Sequence, residues 1–187
     1  MIAERTRRRI QRLSLSAGAL LAFAALVMLA IPAPVRPERY SVYDGDTLEV
    51  VPSTCLLAHF HLACPKQPLR LAGVDAFERL QTCGDGQGGV WYCGAVATNR
   101  LRQLVAKPGF GCQVDPEFVD RHAREFAVCS VEGKDVGATL VSEGLAFAYG
   151  HRTRYLAIEE EAKREKRGAW GTGRFVRPQF WRNGATG

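Results

Sequence analysis

Three short stretches gather carboxylates and guanidinium groups at spacings that chemistry can use. Asp44-Gly45-Asp46-Thr47 sets two carboxylates on either side of a glycine. The stretch from Arg70 to Glu78 reads RLAGVDAFE and carries Arg70, Asp75 and Glu78. DRHAREF follows, with Asp120, Arg121 and Arg124 just before a strand-like run. Carboxylate oxygens are hard ligands suited to calcium or magnesium. Arginines converging with carboxylates around such an ion suit hydrolysis of a phosphodiester. The positive groups stabilise charge on the pentacoordinate phosphorus, and a carboxylate handles the water. Each stretch alone has a plainer reading. Asp-Gly-Asp commonly forms a turn, Arg70 alone suits a surface strand, and Arg121 with Arg124 suits a solvated face.

One metal-loop reading can be excluded. An EF-hand loop starting at Asp44 needs an oxygen ligand at its fifth position and glycine at its sixth. Those positions hold Leu48 and Glu49. A site shared between strand ends remains: if 69–74 is a strand beside 47–51, Asp75 leaves its end near where Asp46 enters its own.

The elements that must position these groups are visible as periodicity. TLEVV (47–51) alternates, and so does PLRLAGV, with Leu69 and Leu71 on one face. Ala97, Leu101, Leu104 and Val105 fall at helical spacing, and Lys107-Pro108-Gly109 stops that helix. GCQVD and REFAVCSV read as a strand pair. Asp135 is placed to cap a helix carrying Val136, Leu140 and Val141 that ends at Gly144. Residues 154–167 give a last, highly charged helix ending at Gly168, in which EEEAKREKR reads as a solvated face laced with i,i+4 pairs. The order β-β-β-α-β-β-α-α with short strands predicts an α+β domain, a small barrel flanked by helices.

The chain has 187 residues, enough for one domain with a real core. Its net charge of +6 is no nucleic-acid signal, because residues 1–13 hold five arginines against Glu4 and the remainder carries only +2. Those arginines precede 23 uncharged residues, 13–35, long enough to cross a bilayer core as a helix. A cytoplasmic N-terminus with everything else outside is expected. A cleavable signal peptide is the rival, although AIPAP is a poor cleavage site. Residues 32–37, PAPVRP, form a short proline-rich linker.

Export makes six cysteines read as three disulfides, Cys55 with Cys64, Cys83 with Cys93 and Cys112 with Cys129. The first two close short loops and the third joins two strands. CLLAHFHLAC also offers Cys55, His59, His61 and Cys64 as four zinc ligands, a competing reading of the first pair.

In order and spacing, DGDT, RLAGVDAFE, DRHAR and EGKDVGATLVSEGLAFAY resemble the staphylococcal nuclease (thermonuclease) family, from Tyr40 to Trp170. The tail GAWGTGRFVRPQFWR and the segment QTCGDGQGGVWYCG are similar to an exported bacterial branch of it. The resemblance implies an OB-fold, a five-stranded β-barrel flanked by about three helices, over 40–172. An anchor or signal segment (1–31), a linker (32–39) and a C-terminal tail (173–187) complete the chain. It implies that Asp46, Asp75 and the main-chain carbonyl of Ala76 bind Ca2+, with Asp44 as an outer-sphere carboxylate. Glu78 would orient or deprotonate the attacking water, and Arg70 and Arg124 would grip the phosphate. Arg121, His122 and Tyr149 would contact substrate. The implied activity is calcium-dependent cleavage of DNA and RNA, single strands preferred, with little sequence preference and 3′-phosphate ends. A monomer in the cell envelope, tethered to the membrane by its N-terminal helix or secreted, is expected. The rival class is a binding module that kept the fold and lost the chemistry; the presence of Arg70, Glu78, Arg124, Asp46 and Asp75 favours the enzyme.

The pattern departs from the family in three places. Ala76-Phe77 stands where the family has Thr-Pro, which keeps a backbone ligand but gives up proline's fixed φ. His122-Ala123 stands where it has Tyr-Gly. The loop 52–68 is longer than usual.

Overall fold

The computed structural model describes residues 39–51, 65–120, 122–150 and 153–185, with the backbone alone for Arg39 and for 116–118. The membrane or signal segment 1–31, nearly all of the linker, Cys55, His59, His61, Cys64 and Arg121 lie outside the described residues. No helix among the described residues is long and apolar enough to cross a membrane.

Ten strands and five helices follow one another among the described residues. They are β1 (Arg39–Val42), β2 (Thr47–Val51), β3 (Gln67–Leu71), β4 (Val74–Ala76), β5 (Cys83–Gly84) and β6 (Val90–Trp91). Helix α1 (Cys93–Val105) precedes β7 (Gly111–Val119), β8 (Glu125–Val131) and β9 (Lys134–Asp135). Then come α2 (Val136–Ser142), β10 (Ala146–Ala148), α3 (Leu156–Arg164), α4 (Ala169–Thr172) and α5 (Pro178–Trp181). The main sheet runs β1-β2-β3-β8-β7, with β9 added to β8, and only β3–β8 is parallel among its pairs. The sheet curls. Tyr40 on β1 meets Phe110 edge-on at 4.9 Å, and its hydroxyl accepts from the Cys112 N–H of β7 at 3.3 Å.

The fold is α+β, as the alternation and helical spacing imply. Three expectations are corrected. The sheet has six strands, because the two-residue β9 joins it. Two single-turn helices, α4 and α5, add to the three read from periodicity. The strand expected over 69–74 ends at Leu71, where Gly73 turns the chain at φ 76°. Asp75 therefore rides on a separate strand, β4, opposite Phe147 of β10.

Strand parity separates core from surface. Leu48 and Val50 of β2, Leu69 and Leu71 of β3, and Ala127, Cys129 and Val131 of β8 point inward. There they meet Leu101 and Leu104 of α1 and Val136, Leu140 and Val141 of α2. Each leucine or valine among them contributes roughly 1.5–3 kcal/mol when removed from water. Helix α2 starts where Asp135 accepts from the Ala138 N–H at 2.9 Å, and Gly144 ends it at φ 67°.

A second cluster is aromatic. Phe77, Phe147, Trp170 and Phe175 meet mostly edge-to-face at 5.0–5.8 Å, around the Cys83–Cys93 disulfide. Phe77 is thus a buried core residue at the position of the family's proline. Cys112 and Cys129, directly opposed on β7 and β8, form a second disulfide among the described residues, with Cα atoms 4.0 Å apart. The solvated-face reading of 159–167 fails at Glu159. It is buried, accepts from the Ala148 N–H at 2.7 Å, and pairs with Lys163 and Arg177.

Candidate active site

The outward side chains of the same strands line a cleft of about 860 Å3. Thr47 and Glu49 come from β2, Pro68 and Arg70 from β3, and Phe126 from β8, alternating with the core residues just named. Glu78 follows β4, His122 and Arg124 precede β8, and Tyr149 follows β10, all on this cleft.

Asp46 and Asp75 do not line the cleft. They are buried, at 4% and 2% exposure, and Arg70 connects them to it. Arg70 donates from Nη1 to Asp46 Oδ1 at 3.1 Å and from Nη2 to Asp75 Oδ1 at 2.8 Å. Asp46 also accepts from the Thr47 hydroxyl and from the Ala76 N–H, each at 3.0 Å. Burial pushes its carboxyl up to about 7, against the lowering pull of Arg70. Asp44 Oδ1 accepts from the Asp46 N–H at 3.1 Å and closes the turn.

Gly45 is needed for contact rather than for turn conformation. A Cβ there would lie 2.7 Å from the Ala76 Cβ and 3.1 Å from that of Ala97. Gly94 does the same for the turn carrying Glu78, since a Cβ would sit 1.7 Å from the Glu78 carbonyl oxygen. Buried Gln81 fixes that turn from inside. Its Oε1 accepts from the Glu78 N–H at 3.1 Å and its Nε2 donates to the Val176 carbonyl at 2.7 Å.

Arg124 is held differently. Its Nε donates to Asp120 Oδ2 at 2.8 Å and its Nη1 to the Thr47 hydroxyl oxygen at 3.0 Å. Asp120 Oδ1 accepts from the His122 and Arg124 N–H groups at 2.8 and 3.0 Å. Desolvation raises the Asp120 carboxyl, but these bonds outweigh it and bring it down to about 2. Thr47 thereby links the two arginine systems, receiving from Arg124 and donating to Asp46.

The sequence-predicted residues Arg70, Glu78, Arg124, Asp44, His122 and Tyr149 share the cleft, and Asp46, Asp75 and Ala76 lie directly behind Arg70. Four participants had no expected role. Asp120 stood in plain view of its arginines, Tyr43 adjoins Asp44, and Thr47 completes DGDT. Arg182 comes from the tail, donates to both oxygens of Asp75 at 3.0 and 3.1 Å and to Glu78 Oε1 at 2.6 Å, and has no spacing signal.

The donor chemistry fits a hard divalent cation. Asp46, Asp75 and the Ala76 carbonyl supply oxygen only, and one guanidinium already bridges both carboxylates, so a single positive group can serve the two. Among the described residues no group of three or more His, Cys, Asp or Glu side chains gathers to hold a metal.

A sheet that buries carboxylates behind arginines on an open cleft has the charges that phosphodiester chemistry calls for. Comparison with known proteins narrows this reading. A family model described as "Staphylococcal nuclease homologue" matches residues 68–172. The chain is 29% identical to Protein ParB of Escherichia coli, over 87% of this chain and 90% of that one. It is 28% identical to Micrococcal nuclease of Shigella flexneri, over 88% and 92%. It is 27% identical to an uncharacterized endonuclease of Haemophilus influenzae, over 75% and 69%. The chain belongs to the staphylococcal nuclease family and is a hydrolase of the nuclease type.

Proposed function

We propose that this protein is a calcium-dependent nuclease that hydrolyses DNA and RNA with little sequence preference, favours single strands and leaves 3′-phosphate ends. The observation that carries the reading is the convergence of Arg70, Glu78 and Arg124 on one cleft, backed by Asp46 and Asp75. Arg70 and Arg124 bind the phosphate oxygens and offset charge that grows as water adds to phosphorus. Glu78 accepts the proton of that water. A 3′-phosphate product means that the bond from phosphorus to the 5′ oxygen breaks. Asp46, Asp75 and the Ala76 carbonyl hold the calcium ion, with Asp44 beyond them. When bound, the ion supplies further positive charge to the phosphate. Tyr43, His122 and Tyr149 offer faces on which unpaired bases stack, which supports a preference for single strands. The arginine-rich start and the uncharged run after it support action in the cell envelope, beyond the cytoplasmic membrane.

The test is digestion of single-stranded DNA by the purified full chain in calcium and in chelator, with end-group analysis. Cleavage in calcium alone is expected, and Glu78→Gln slows it by about 10²–10⁴-fold while nucleotide binding persists. A Glu78→Gln variant with wild-type turnover overturns the role of Glu78. Binding without cleavage by the wild type identifies a binding module instead.

A further inference from the structure

Arg182 lies beyond the family match, which ends at 172, and reaches the reaction centre from 107 residues after Asp75. The segment that delivers it is anchored by other groups. Phe175 packs in the aromatic cluster, the Val176 carbonyl accepts from Gln81, and Arg177 pairs with Glu159. Pro178 opens α5 at its first turn, and Arg182 caps its end. Docking of the tail therefore does not depend on the Arg182 head group, which is spent on carboxylates. Its two terminal nitrogens straddle Asp75, the fork-to-fork geometry of a strong pair, and Nη1 also holds Glu78.

Asp75 thus receives two guanidinium groups, and they are unequal. Arg70 is wedged between Asp46 and Asp75 on a strand paired on both sides, with its side chain 10% exposed. Arg182 is 33% exposed, lines the cleft, and has Glu78 as a second partner. A cation approaching Asp75 meets the Arg182 charge at both carboxylate oxygens. Arg182 is the group able to yield, because it can release Asp75 and keep Glu78.

We propose that Arg182 is a tethered rival of the divalent cation: the two compete for Asp75, so the C-terminal segment sets how much cation the nuclease requires. This rests on the calcium reading given under Proposed function. Arg182 acts through Asp75 and is a positioning residue.

The experiment is calcium titration by calorimetry on the purified full chain, without nucleic acid, for wild type, Arg182→Ala, Arg182→Lys and Asp75→Asn. Melting of each is followed in chelator and in saturating calcium. Arg182→Ala is expected to bind calcium about tenfold more tightly and Arg182→Lys by an intermediate factor, while Asp75→Asn loses binding. Arg182→Ala is also expected to melt lower than wild type in chelator and close to it in calcium. Unchanged or weaker calcium affinity in a folded Arg182→Ala overturns the proposal and leaves the calcium reading standing. So does an equal drop in melting temperature in both conditions, which marks a purely structural anchor. If Arg182→Ala does not fold, Arg182→Lys decides by the same criteria. If neither wild type nor the Arg182 variants take up calcium at millimolar concentration, the calcium reading fails and takes this proposal with it.

Discussion

Arg70 and Arg124 face one cleft from two kinds of support. Arg70 sits mid-sheet on β3, opposite Thr47 on one side and Phe126 on the other, with a buried carboxylate at each end of its fork. Arg124 sits at the edge of a turn, where Asp120 gathers two backbone N–H groups and the Arg124 side chain. Ala123 beside it holds φ at 58°, a left-handed conformation that costs a side chain energy. Strand pairing fixes the first guanidinium whatever its neighbours in sequence are. The second is fixed by one local carboxylate and by the Thr47 hydroxyl, so its placement depends chiefly on the turn.

The largest expected effect tests function on the turn side. Arg124→Ala is expected to lower turnover by about 10²–10³-fold in saturating calcium, the usual cost of one transition-state donor. Arg124→Lys should recover little, because an ammonium lacks the planar fork that bonds Asp120 and Thr47 together. Full recovery in steady-state assays would mean that only charge matters there.

Stability separates the two sites next. Asp46→Ala removes a buried partner of Arg70 and strands the Ala76 N–H, which should cost about 3 kcal/mol in urea unfolding. Asp120→Ala, at the more exposed pair, should cost about 1 kcal/mol. Equal losses would mean that the sheet-held and turn-held pairs are equivalent.

The acid limb of stability isolates the turn further. The Asp120 carboxyl lies at about 2 in the folded protein against an ordinary 3.8. A depressed carboxyl stabilises fully above its unfolded value and ceases to do so as pH falls through the folded one. The Asp120 contribution is therefore complete above about pH 4 and lost toward about pH 2. Urea midpoints across that window should fall less steeply in Asp120→Asn than in wild type. The smallest effect is a gain: Ala123→Gly relieves the left-handed residue and should stabilise by about 1 kcal/mol.

What could be read from sequence follows from the same contrast. TLEVV, PLRLAGV and the spacing of Ala97, Leu101 and Leu104 are periodic, so core strands and α1 were legible, and Asp135 announced α2 by its side chain. Arg70, Glu78 and Arg124 were found as clusters of charge, and the structure brings them to one cleft. The break between β3 and β4 was hidden because Gly73 sits inside an apolar run that still reads as one strand. Phe77, Phe147, Trp170 and Phe175 meet from four segments without a shared period, and no spacing could pair them. Burial of Glu159 and delivery of Arg182 depend on the tail folding back, a long-range event with no local signature.

The sharing of β2, β3 and β8 between core and cleft has a consequence for how such a protein can change. Side chains alternate faces, so one inserted or deleted residue in β2 would turn Thr47 and Glu49 inward and expose Leu48 and Val50. Substitution can redesign the cleft face residue by residue while the hidden face keeps the fold. Insertions and deletions within these strands would change both faces at once, so a change of length is tolerated more readily in the connections.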